Sequence, residues 1–389
     1  MTLKPKRYAE GLAKTPPMGW NSFNTFGCEP TEELIKQSAD VMVKSGLLEA
    51  GYRYINIDDG WMADERDSAG NLVPDPQKFP NGMKPVTDYI HEKGLLAGTY
   101  LGCGQKTYGE KPGSLGYEER DAQLIADQGF DLLKYDYREL PGDPIGRGVK
   151  EDYVTMRNAL MKTGRDMVFS ICEHGKSHPE TWAQEIGHMW RTTPDIKDSF
   201  DEDINWGWSI NHIIDETHAL HHYAGPGGWN DPDMLVVGIN GLNDWLGPGC
   251  TYNEYKSHFS LWCLLAAPLL IGCDIRKMSE ETKTILLNKE MIAINQDPLG
   301  IQGHLLKKEH GIDYWVKPLA NNDIAIGLLN RFNEPKEAVL SLSDLLEDGN
   351  YLMKDVWTNE RKELQSEWIS KTLKSHECAV FRLMSKNKE

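Results

Sequence analysis

The sequence predicts an α/β fold: a (β/α)8 barrel of residues 1–300, followed by a C-terminal antiparallel β-sandwich of residues 301–389. Short apolar runs alternate with longer amphipathic segments from Pro16 to about Gly272, as in a repeated strand and helix unit. After residues 295–300 the pattern changes to short strand-like runs separated by turns. An open doubly wound sheet is the competing arrangement for the first part.

The alternating part contains about as many candidate strands as a closed eight-stranded barrel requires. They lie at residues 18–21, 54–59, 95–100, 132–136, 167–173, 189–192, 228–231 and 268–272. The segments between them have helical patterns. Segment 31–47 opens with two glutamates in its first turn and carries an apolar stripe, and segments 117–128 and 152–161 are similar.

Polar side chains collect at the C-terminal ends of nearly all these strands, which favours the barrel over the open sheet. In a barrel such ends converge on one mouth, whereas in an open sheet they lie along an edge. These residues are Trp20, Asn21, Asp58, Asp59, Tyr100, Lys134, Asp136, Glu173, Arg191, Asp231 and Asp233.

The C-terminal part is predicted to be an all-β module with a structural role, because it lacks clustered polar signatures. Its candidate strands lie at residues 313–317, 324–329, 338–342, 351–357 and 378–383, with turn signals at 321–323 and 347–350.

Composition limits the partners and the compartment. The chain has 389 residues, is 40% hydrophobic and carries a net charge of −17, which disfavours nucleic acid and anionic membranes. A small-molecule or oligosaccharide substrate is expected, with a homo-oligomer left open. Seven cysteines without a C-x-x-C pair favour free thiols. We therefore expect a cytoplasmic protein with no metal and no cofactor; secretion after removal of a leader peptide is the alternative.

Two carboxylates are the strongest candidates for chemistry, since the sequence contains no motif of phosphate-binding loops, zinc proteases or serine hydrolases. Asp136 ends one candidate strand beside Lys134, and Asp195 follows another strand. Cleavage of a glycosidic bond requires two facing carboxyls, one ionised and one protonated. Lys134 is expected to keep Asp136 ionised, and a drier setting to keep Asp195 protonated. A salt bridge capping a strand is the simpler alternative.

Four tryptophans near strand ends, Trp20, Trp61, Trp190 and Trp229, could offer apolar faces to a sugar. Each of them taken alone is more often a core residue than a site residue.

Several longer stretches together identify a family. They are TPPMGWNSFN (15–24), YINIDDGW (54–61), KPGSLGYEERDA (111–122), LLKYD (132–136), WRTTPDI (190–196), AGPGGWNDPDML (224–235), APLLIGCDIRKM (267–278) and AINQDPLG (293–300). In this order and spacing the chain resembles glycoside hydrolase family 27, the α-galactosidase and α-N-acetylgalactosaminidase group, over essentially its whole length. The resemblance implies a TIM barrel, a C-terminal β-sandwich and a retaining double displacement that releases α-linked D-galactose.

The resemblance also implies a role for each matching residue. Asp136 matches the nucleophile and Asp195 the acid/base. The substrate-binding positions are Asp58 and Asp59 for the galactose 4- and 6-hydroxyls, Trp20 lining the same pocket, Lys134 for the 3- and 4-hydroxyls, Arg191 and Glu173 on the 2-hydroxyl side, and Tyr100 and Asp233 at further pocket positions.

The chain departs from the family pattern beside the catalytic positions. Tyr108 and Arg138 stand where family members commonly have two bonded cysteines, which a reducing compartment would tolerate. Tyr137 and His174 are also changed, which opens the question of the preferred sugar.

The alternative sugars are an α-N-acetylgalactosaminide, a β-L-arabinopyranoside and an α-glucan. Glu173 argues against the first and Asp58 against the second. A catalytically inactive sugar-binding protein and a metal-dependent barrel hydrolase are the hypotheses from other classes.

Overall fold

The computed structural model describes residues 8–138, 148–343, 345, 351–364 and 367–385. Its first part is a parallel sheet of eight short strands in the order β7-β6-β5-β4-β3-β2-β1-β8. The strands are β1 (Met18–Asn21), β2 (Tyr54–Asn56), β3 (Leu96–Gly102), β4 (Leu132–Asp136), β5 (Val168–Cys172), β6 (Met189–Arg191), β7 (Trp229–Asp231) and β8 (Leu269–Ile271). All eight lie within the strands that the sequence predicts, or within two residues of them.

The sheet curls into a barrel. β1 pairs in parallel with both β2 and β8, so that Trp20 lies opposite Ile55 on one side and Ile271 on the other. The remaining side, between β7 and β8, is closed by a parallel bridge between Leu235 and Ile271. The barrel prediction is confirmed, and the open sheet is excluded because the last strand pairs with the first.

Ten α-helices connect or flank the strands. They are α1 (Phe23–Phe26), α2 (Glu32–Lys44), α3 (Leu47–Ala50), α4 (Lys84–Glu92), α5 (Glu118–Asp127), α6 (Val149–Thr163), α7 (Ile210–Thr217), α8 (Tyr252–Leu264), α9 (Glu280–Leu286) and α10 (Lys289–Asn295), counted over the described ranges. The predicted start of α2 has a physical cause. The Thr31 hydroxyl accepts a hydrogen bond from the Leu34 amide at 3.2 Å, and two glutamates occupy the first turn.

The C-terminal part consists of a six-stranded sheet in the order β14-β13-β16-β11-β10-β9 and a two-stranded sheet of β12 and β15. The strands are β9 (His304–Glu309), β10 (Ile312–Pro318), β11 (Ile324–Asn330), β12 (Lys336–Ser341), β13 (Tyr351–Asp355), β14 (Arg361–Glu363), β15 (Trp368–Leu373) and β16 (Cys378–Ser385). All its pairings are antiparallel, as predicted.

Three of these strands, β9, β14 and β15, are absent from the sequence prediction. β14 is charged and exposed at all three positions, and β9 and β15 mix apolar residues with charged and polar ones. None of the three therefore has the apolar run or the regular apolar alternation that marks a strand. The turn signal predicted at residues 347–350 lies outside the described residues.

Helix α8 joins the two parts. Nine of its residues are buried, because barrel and sandwich pack on different sides of it. The Ser257 hydroxyl donates to the His376 carbonyl at 2.6 Å and accepts from the Cys378 amide at 2.7 Å. The sandwich is thereby attached to the barrel through buried backbone hydrogen bonds.

All seven cysteines are free thiols. None of the helices described is long and apolar enough to cross a membrane.

Candidate active site

A cavity of about 520 Å³ opens at the C-terminal ends of the barrel strands. Eight of the ten site residues predicted from the sequence line it: Asp58, Asp59, Tyr100, Lys134, Asp136, Arg191, Asp195 and Asp233. They come from strands β2, β3, β4, β6 and β7 or from the residues that follow them. The parallel barrel brings these strand ends together, as the sequence pattern predicts.

One side of the cavity is built from Asp58, Asp59 and Lys134. The Lys134 ammonium lies 3.0 Å from Asp58 Oδ2, which also accepts a hydrogen bond from the Asn21 side chain at 2.7 Å. Asp59 Oδ2 accepts from the Gly109 amide at 2.6 Å, while burial raises the pKa of Asp59 to about 6. The carboxylates can accept hydrogen bonds from the hydroxyls of a sugar, and the Lys134 ammonium can donate to them.

Asp136 lies deeper in the same cavity and is 5% exposed. The Tyr100 hydroxyl donates to its Oδ2 at 3.1 Å, and its Oδ1 has no hydrogen-bond partner within the described chain. Burial raises the pKa of Asp136 to about 6, although the nearby Lys134 charge opposes that shift. Its free oxygen is available for an incoming group.

Asp195 shares a guanidinium with Asp233. Arg191 Nη2 lies 3.0 Å from Asp195 Oδ1 and 3.1 Å from Asp233 Oδ2. Burial disfavours the charge on Asp195, but Arg191 and His174 outweigh it and hold the pKa of Asp195 below its usual value. Burial raises the pKa of Asp233. Both carboxyls therefore share the positive charge of Arg191.

The pKa values of the two candidate catalytic carboxyls are therefore shifted in the directions opposite to those expected from the sequence. Lys134, which the sequence places beside Asp136, is in salt-bridge contact with Asp58 instead. Burial is therefore the main influence on the pKa of Asp136 and raises it, whereas Arg191 lowers the pKa of Asp195. Residues two apart on a strand point to the same face, but their side chains need not form a salt bridge with each other. Here the ammonium of one of them contacts a carboxylate that follows a different strand.

His174 lies between the two candidate catalytic carboxyls. Its Nε2 is 3.8 Å from Asp136 Oδ1 and 3.5 Å from Asp195 Oδ1. Its ring meets the Tyr108 ring edge to face at 5.8 Å. Burial lowers the pKa of His174 to about 4, so the imidazole is neutral at neutral pH. Sequence comparison marked His174 as changed, but only the structure places it between the two carboxyls.

Cys172 lies beneath these groups. Its sulfur and donor atoms of Asp136 and His174 lie within 4.8 Å of one another. Burial raises the pKa of the Cys172 thiol well above its usual value.

Trp20 and Glu173 are predicted site residues that lie outside the cavity lining. The Trp20 indole is fully buried and donates to the Cys273 carbonyl at 2.8 Å. Glu173 Oε2 accepts from the Ser177 amide at 2.7 Å, and burial raises the pKa of Glu173 to about 7. Both residues support the loops around the cavity in this structure.

The tryptophans expected to offer a face to a sugar are also core residues. Trp61, Trp190 and Trp229 are fully buried, like Trp20, and none lines the cavity. The cavity is also lined by residues to which the sequence analysis assigns no role: Phe23, Asn24, Lys176, Pro194, Trp206, Met234 and Trp245. Most of them lie in loops, where periodicity carries no signal.

Arg138 joins the two loops that the family resemblance would connect through a disulfide. Its guanidinium donates to the Thr107 carbonyl and to the Glu110 carboxylate, and it lies over the Tyr108 ring, 5.7 Å from the ring centre. Tyr108 lines the cavity, whereas Tyr137 is buried. The rim is therefore held by hydrogen bonds and a cation–π contact.

Comparison with known proteins agrees with this architecture. The model of the α-galactosidase A family matches residues 15–297, and that of the α-galactosidase C-terminal β-sandwich domain matches residues 309–383. An α-galactosidase of Cyamopsis tetragonoloba is 45% identical over 376 residues, 96% of this chain and 87% of the relative. The α-galactosidase A of Cellvibrio japonicus is 42% identical over 96% of this chain and 93% of the relative.

Solved structures give the same result. α-Galactosidase I from Mortierella vinacea superposes with a TM-score of 0.89 at 34% identity, covering 96% of this chain and 98% of that one. The Saccharomyces cerevisiae α-galactosidase with raffinose superposes with a TM-score of 0.89 at 29% identity, covering 98% of this chain and 100% of that one. The chain therefore belongs to the α-galactosidase family of glycoside hydrolases, family 27.

Proposed function

We propose that this protein is a retaining α-galactosidase that releases terminal α-linked D-galactose from galactosides. The observation that carries the proposal is the placement of Asp136 and Asp195 in one cavity, both in contact with His174 Nε2, at 3.8 and 3.5 Å. These two contacts limit the distance between the two carboxyl oxygens to about 7 Å. This limit includes the separation of about 5–5.5 Å found in retaining glycosidases and excludes most of the range of about 6.5–9.5 Å found in inverting ones.

In the first step Asp136 acts as the nucleophile. Its carboxylate oxygen bonds to the anomeric carbon while the bond to the glycosidic oxygen breaks and Asp195 gives that oxygen its proton. With a pKa of about 6, Asp136 is mostly ionised at pH 7. Its Oδ1, which has no partner within the described chain, is free to make the new bond.

In the second step Asp195 acts as the base. Arg191 lowers the pKa of Asp195, and the negative charge of ionised Asp136 acts in the opposite direction, because a like charge raises the pKa of a neighbouring carboxyl. This opposing charge favours the protonated form of Asp195 that the first step uses. Once Asp136 has become an ester, that charge is gone. Arg191 then favours the Asp195 carboxylate, which takes a proton from water as the water oxygen attacks the anomeric carbon and frees Asp136.

The preference for galactose rests on the Asp58 side of the cavity. The Asp58 carboxylate and the Lys134 ammonium form a donor and acceptor pair at 3.0 Å, suited to neighbouring hydroxyls and a hydroxymethyl group. A β-L-arabinopyranoside lacks that hydroxymethyl group. Glu173 lies outside the cavity, so the case against an N-acetylgalactosaminide is weaker than the sequence predicts.

We also propose a reducing compartment, the cytoplasm, as the site of action. All seven cysteines are free, and Arg138 holds the rim without a disulfide. Secretion remains the alternative.

The test uses Asp136→Ala and Asp195→Ala, assayed on aryl α-D-galactopyranosides with good and poor leaving groups. We expect Asp136→Ala to lose several orders of magnitude in turnover, because no nucleophile remains. Azide should partly restore it and give β-galactosyl azide, the inverted product. Asp195→Ala should lose far less activity on good leaving groups, which need little protonation.

Three results would contradict the proposal. They are near-normal turnover by Asp136→Ala, equal losses by Asp195→Ala on all leaving groups, and activity of the wild-type enzyme that a chelator abolishes. A panel with α-N-acetylgalactosaminides, β-L-arabinopyranosides and α-glucosides measures the preferred sugar directly.

A further inference from the structure

We propose that Asp136, Cys172 and His174 form a binding site for a thiophilic divalent cation such as Zn²⁺, and that the bound cation reversibly inhibits the enzyme. The binding is independent of the proposed function. The inhibition rests on that function, because it requires Asp136 to be the nucleophile. His174 stands where the chain departs from the family pattern, so this set of donor atoms is not part of what the chain shares with the family.

The first support is the distance between three different donor groups. One donor atom from each of Asp136, Cys172 and His174 lies within 4.8 Å of the other two. His174 Nε2 is 3.8 Å from Asp136 Oδ1 and 3.9 Å from Cys172 Sγ. A tetrahedral zinc ion, with bonds of about 2.0–2.3 Å, holds its ligand atoms about 3.3–3.6 Å apart. The imidazole is thus within a few tenths of an ångström of the required distance from both other donors.

The second support is the uncompensated charge of Asp136. This residue is 5% exposed, and its Oδ1 has no hydrogen-bond partner within the described chain. The two cations of the cavity wall contact other groups, since the Lys134 ammonium contacts Asp58 and the Arg191 guanidinium contacts two further carboxyls. A cation bound at Asp136 Oδ1 would supply both the missing partner and the missing charge.

The third support is the fixed position of the imidazole. His174 and Gly175 both have left-handed backbone conformations, with φ values of +61° and +76°. No side chain fits at Gly175, because its Cβ would overlap the Thr192 carbonyl oxygen. The Tyr108 ring meets the His174 ring edge to face at 5.8 Å. Because burial lowers the pKa of His174 to about 4, one ring nitrogen keeps a lone pair for a metal at neutral pH.

The donor set selects the class of cation. Mg²⁺ and Ca²⁺ prefer oxygen ligands, whereas a thiolate, an imidazole and a carboxylate together suit Zn²⁺. Burial raises the pKa of the Cys172 thiol, so the cation has to displace the thiol proton, which passes to solvent, and this requires a strong preference for sulfur. Three protein ligands leave the fourth position of a tetrahedral ion to water.

Inhibition follows from the position of the ion. When Asp136 Oδ1 is bound to the cation, that oxygen cannot bond to an anomeric carbon. The ion also occupies space in the cavity that holds the substrate. Zinc and galactoside should therefore exclude each other.

The first experiment titrates the purified enzyme with zinc chloride, in buffer without thiols or chelators, and measures hydrolysis of an aryl α-D-galactopyranoside. We expect inhibition that EDTA reverses, and a zinc concentration at half-inhibition that rises with substrate concentration. In Cys172→Ser and His174→Asn that zinc concentration should rise at least about tenfold, since each variant lacks one ligand. Each variant is compared with its own rate without zinc, so that an effect of the substitution on turnover cancels.

Cys250→Ser and His178→Ala are the matched controls. Cys250 is a half-buried thiol, the His178 side chain is 79% exposed, and neither residue lines the cavity. Both variants should keep the zinc sensitivity of the wild type. The site would be overturned if Cys172→Ser and His174→Asn were as sensitive as the wild type, because the inhibiting ion would then lie elsewhere. Wild-type activity that zinc leaves unchanged would overturn it as well.

The second experiment needs no turnover and uses Co²⁺, whose bond to a thiolate gives a charge-transfer absorption in the near ultraviolet. Wild-type protein should develop this band, Zn²⁺ should abolish it, and Cys172→Ser should lack it while Cys250→Ser keeps it. No band in the wild type, or an equal band in Cys172→Ser, would contradict the site. If the wild-type protein releases no galactose, the proposed function has failed, and the cobalt band still decides whether the metal binds.

Discussion

At the scale of single residues, ionisation in this site depends on which groups meet across the barrel. Asp136 and Lys134 lie two residues apart on strand β4, yet the Lys134 ammonium contacts Asp58, which follows β2. The Arg191 guanidinium forms a salt bridge with Asp195, and His174 lies between Asp136 and Asp195. The consequence is that Asp136, the proposed nucleophile, is a buried carboxyl whose pKa is raised to about 6.

This pKa predicts the acid side of the pH profile. Asp136 must be ionised to attack, and burial raises its pKa, so the active form is lost as the pH falls through about 6. Below that pH, kcat/KM should fall about tenfold per unit for a single required carboxylate. Asp59, whose pKa is also about 6, can make the fall steeper.

The measurement is kcat/KM on α-D-galactosyl fluoride between pH 4 and pH 8, with stability checked at each pH. This substrate needs little help from the acid, so its profile reports the nucleophile. Undiminished kcat/KM at pH 4 would contradict the assignment of the raised pKa to Asp136.

At the scale of elements, the loop of residues 201–208 couples the acid residue to the rim. The Trp208 amide donates to the Asp195 carbonyl, and Gly207 allows the loop to approach that backbone. The end of strand β6 thus brings the chain to the position of Asp195. The loop of residues 201–208 then holds the Asp195 backbone in place.

Gly207→Ala tests this coupling. The new methyl group would lie 2.2 Å from Lys197 Cε and 2.5 Å from the Asp195 carbonyl oxygen, so the loop and the acid must shift. A displacement of this kind can lower kcat/KM by about a hundredfold, at a cost in stability of about 1–3 kcal/mol. The readouts are kcat/KM on melibiose and the midpoint of urea unfolding.

Gly225→Ala is the matched control. A Cβ there meets no atom within 4 Å, so both readouts should stay close to wild type. If Gly207→Ala keeps wild-type kcat/KM, the loop does not hold the acid in place.

At the scale of the whole molecule, barrel and sandwich are held together without covalent cross-links. Helix α8 is buried between them, and Ser257 connects it to residues 376 and 378 of the sandwich. On the barrel rim, Arg138 spans two loops by hydrogen bonds. Stability should therefore not depend on disulfide chemistry.

A thiol titration tests this expectation. Protein purified without reductant and unfolded in guanidinium should react with seven equivalents of Ellman's reagent, one for each cysteine. The melting temperature should be the same with and without dithiothreitol. Fewer reactive thiols together with a lower melting temperature in reductant would show a structural disulfide and would favour secretion.

The sequence by itself determined the order of the elements and the identity of the two candidate catalytic acids. Strand β4 has the predicted bounds of residues 132–136, because an apolar run that ends in charge is a local signal. The convergence of strand-end residues on one cavity follows from the same pattern once the barrel closes. The sequence analysis missed strands β9, β14 and β15, because none of them contains an apolar run of this kind.

Only the tertiary structure decided which side chains face the cavity and which charges pair. Trp20 satisfies its indole with a carbonyl 253 residues away, and Trp206, in a loop without periodicity, takes a place at the rim. The pairing of Lys134 with Asp58 and the position of His174 between Asp136 and Asp195 are contacts between distant segments. Such contacts depend on how the barrel closes, and the local sequence pattern does not predict them.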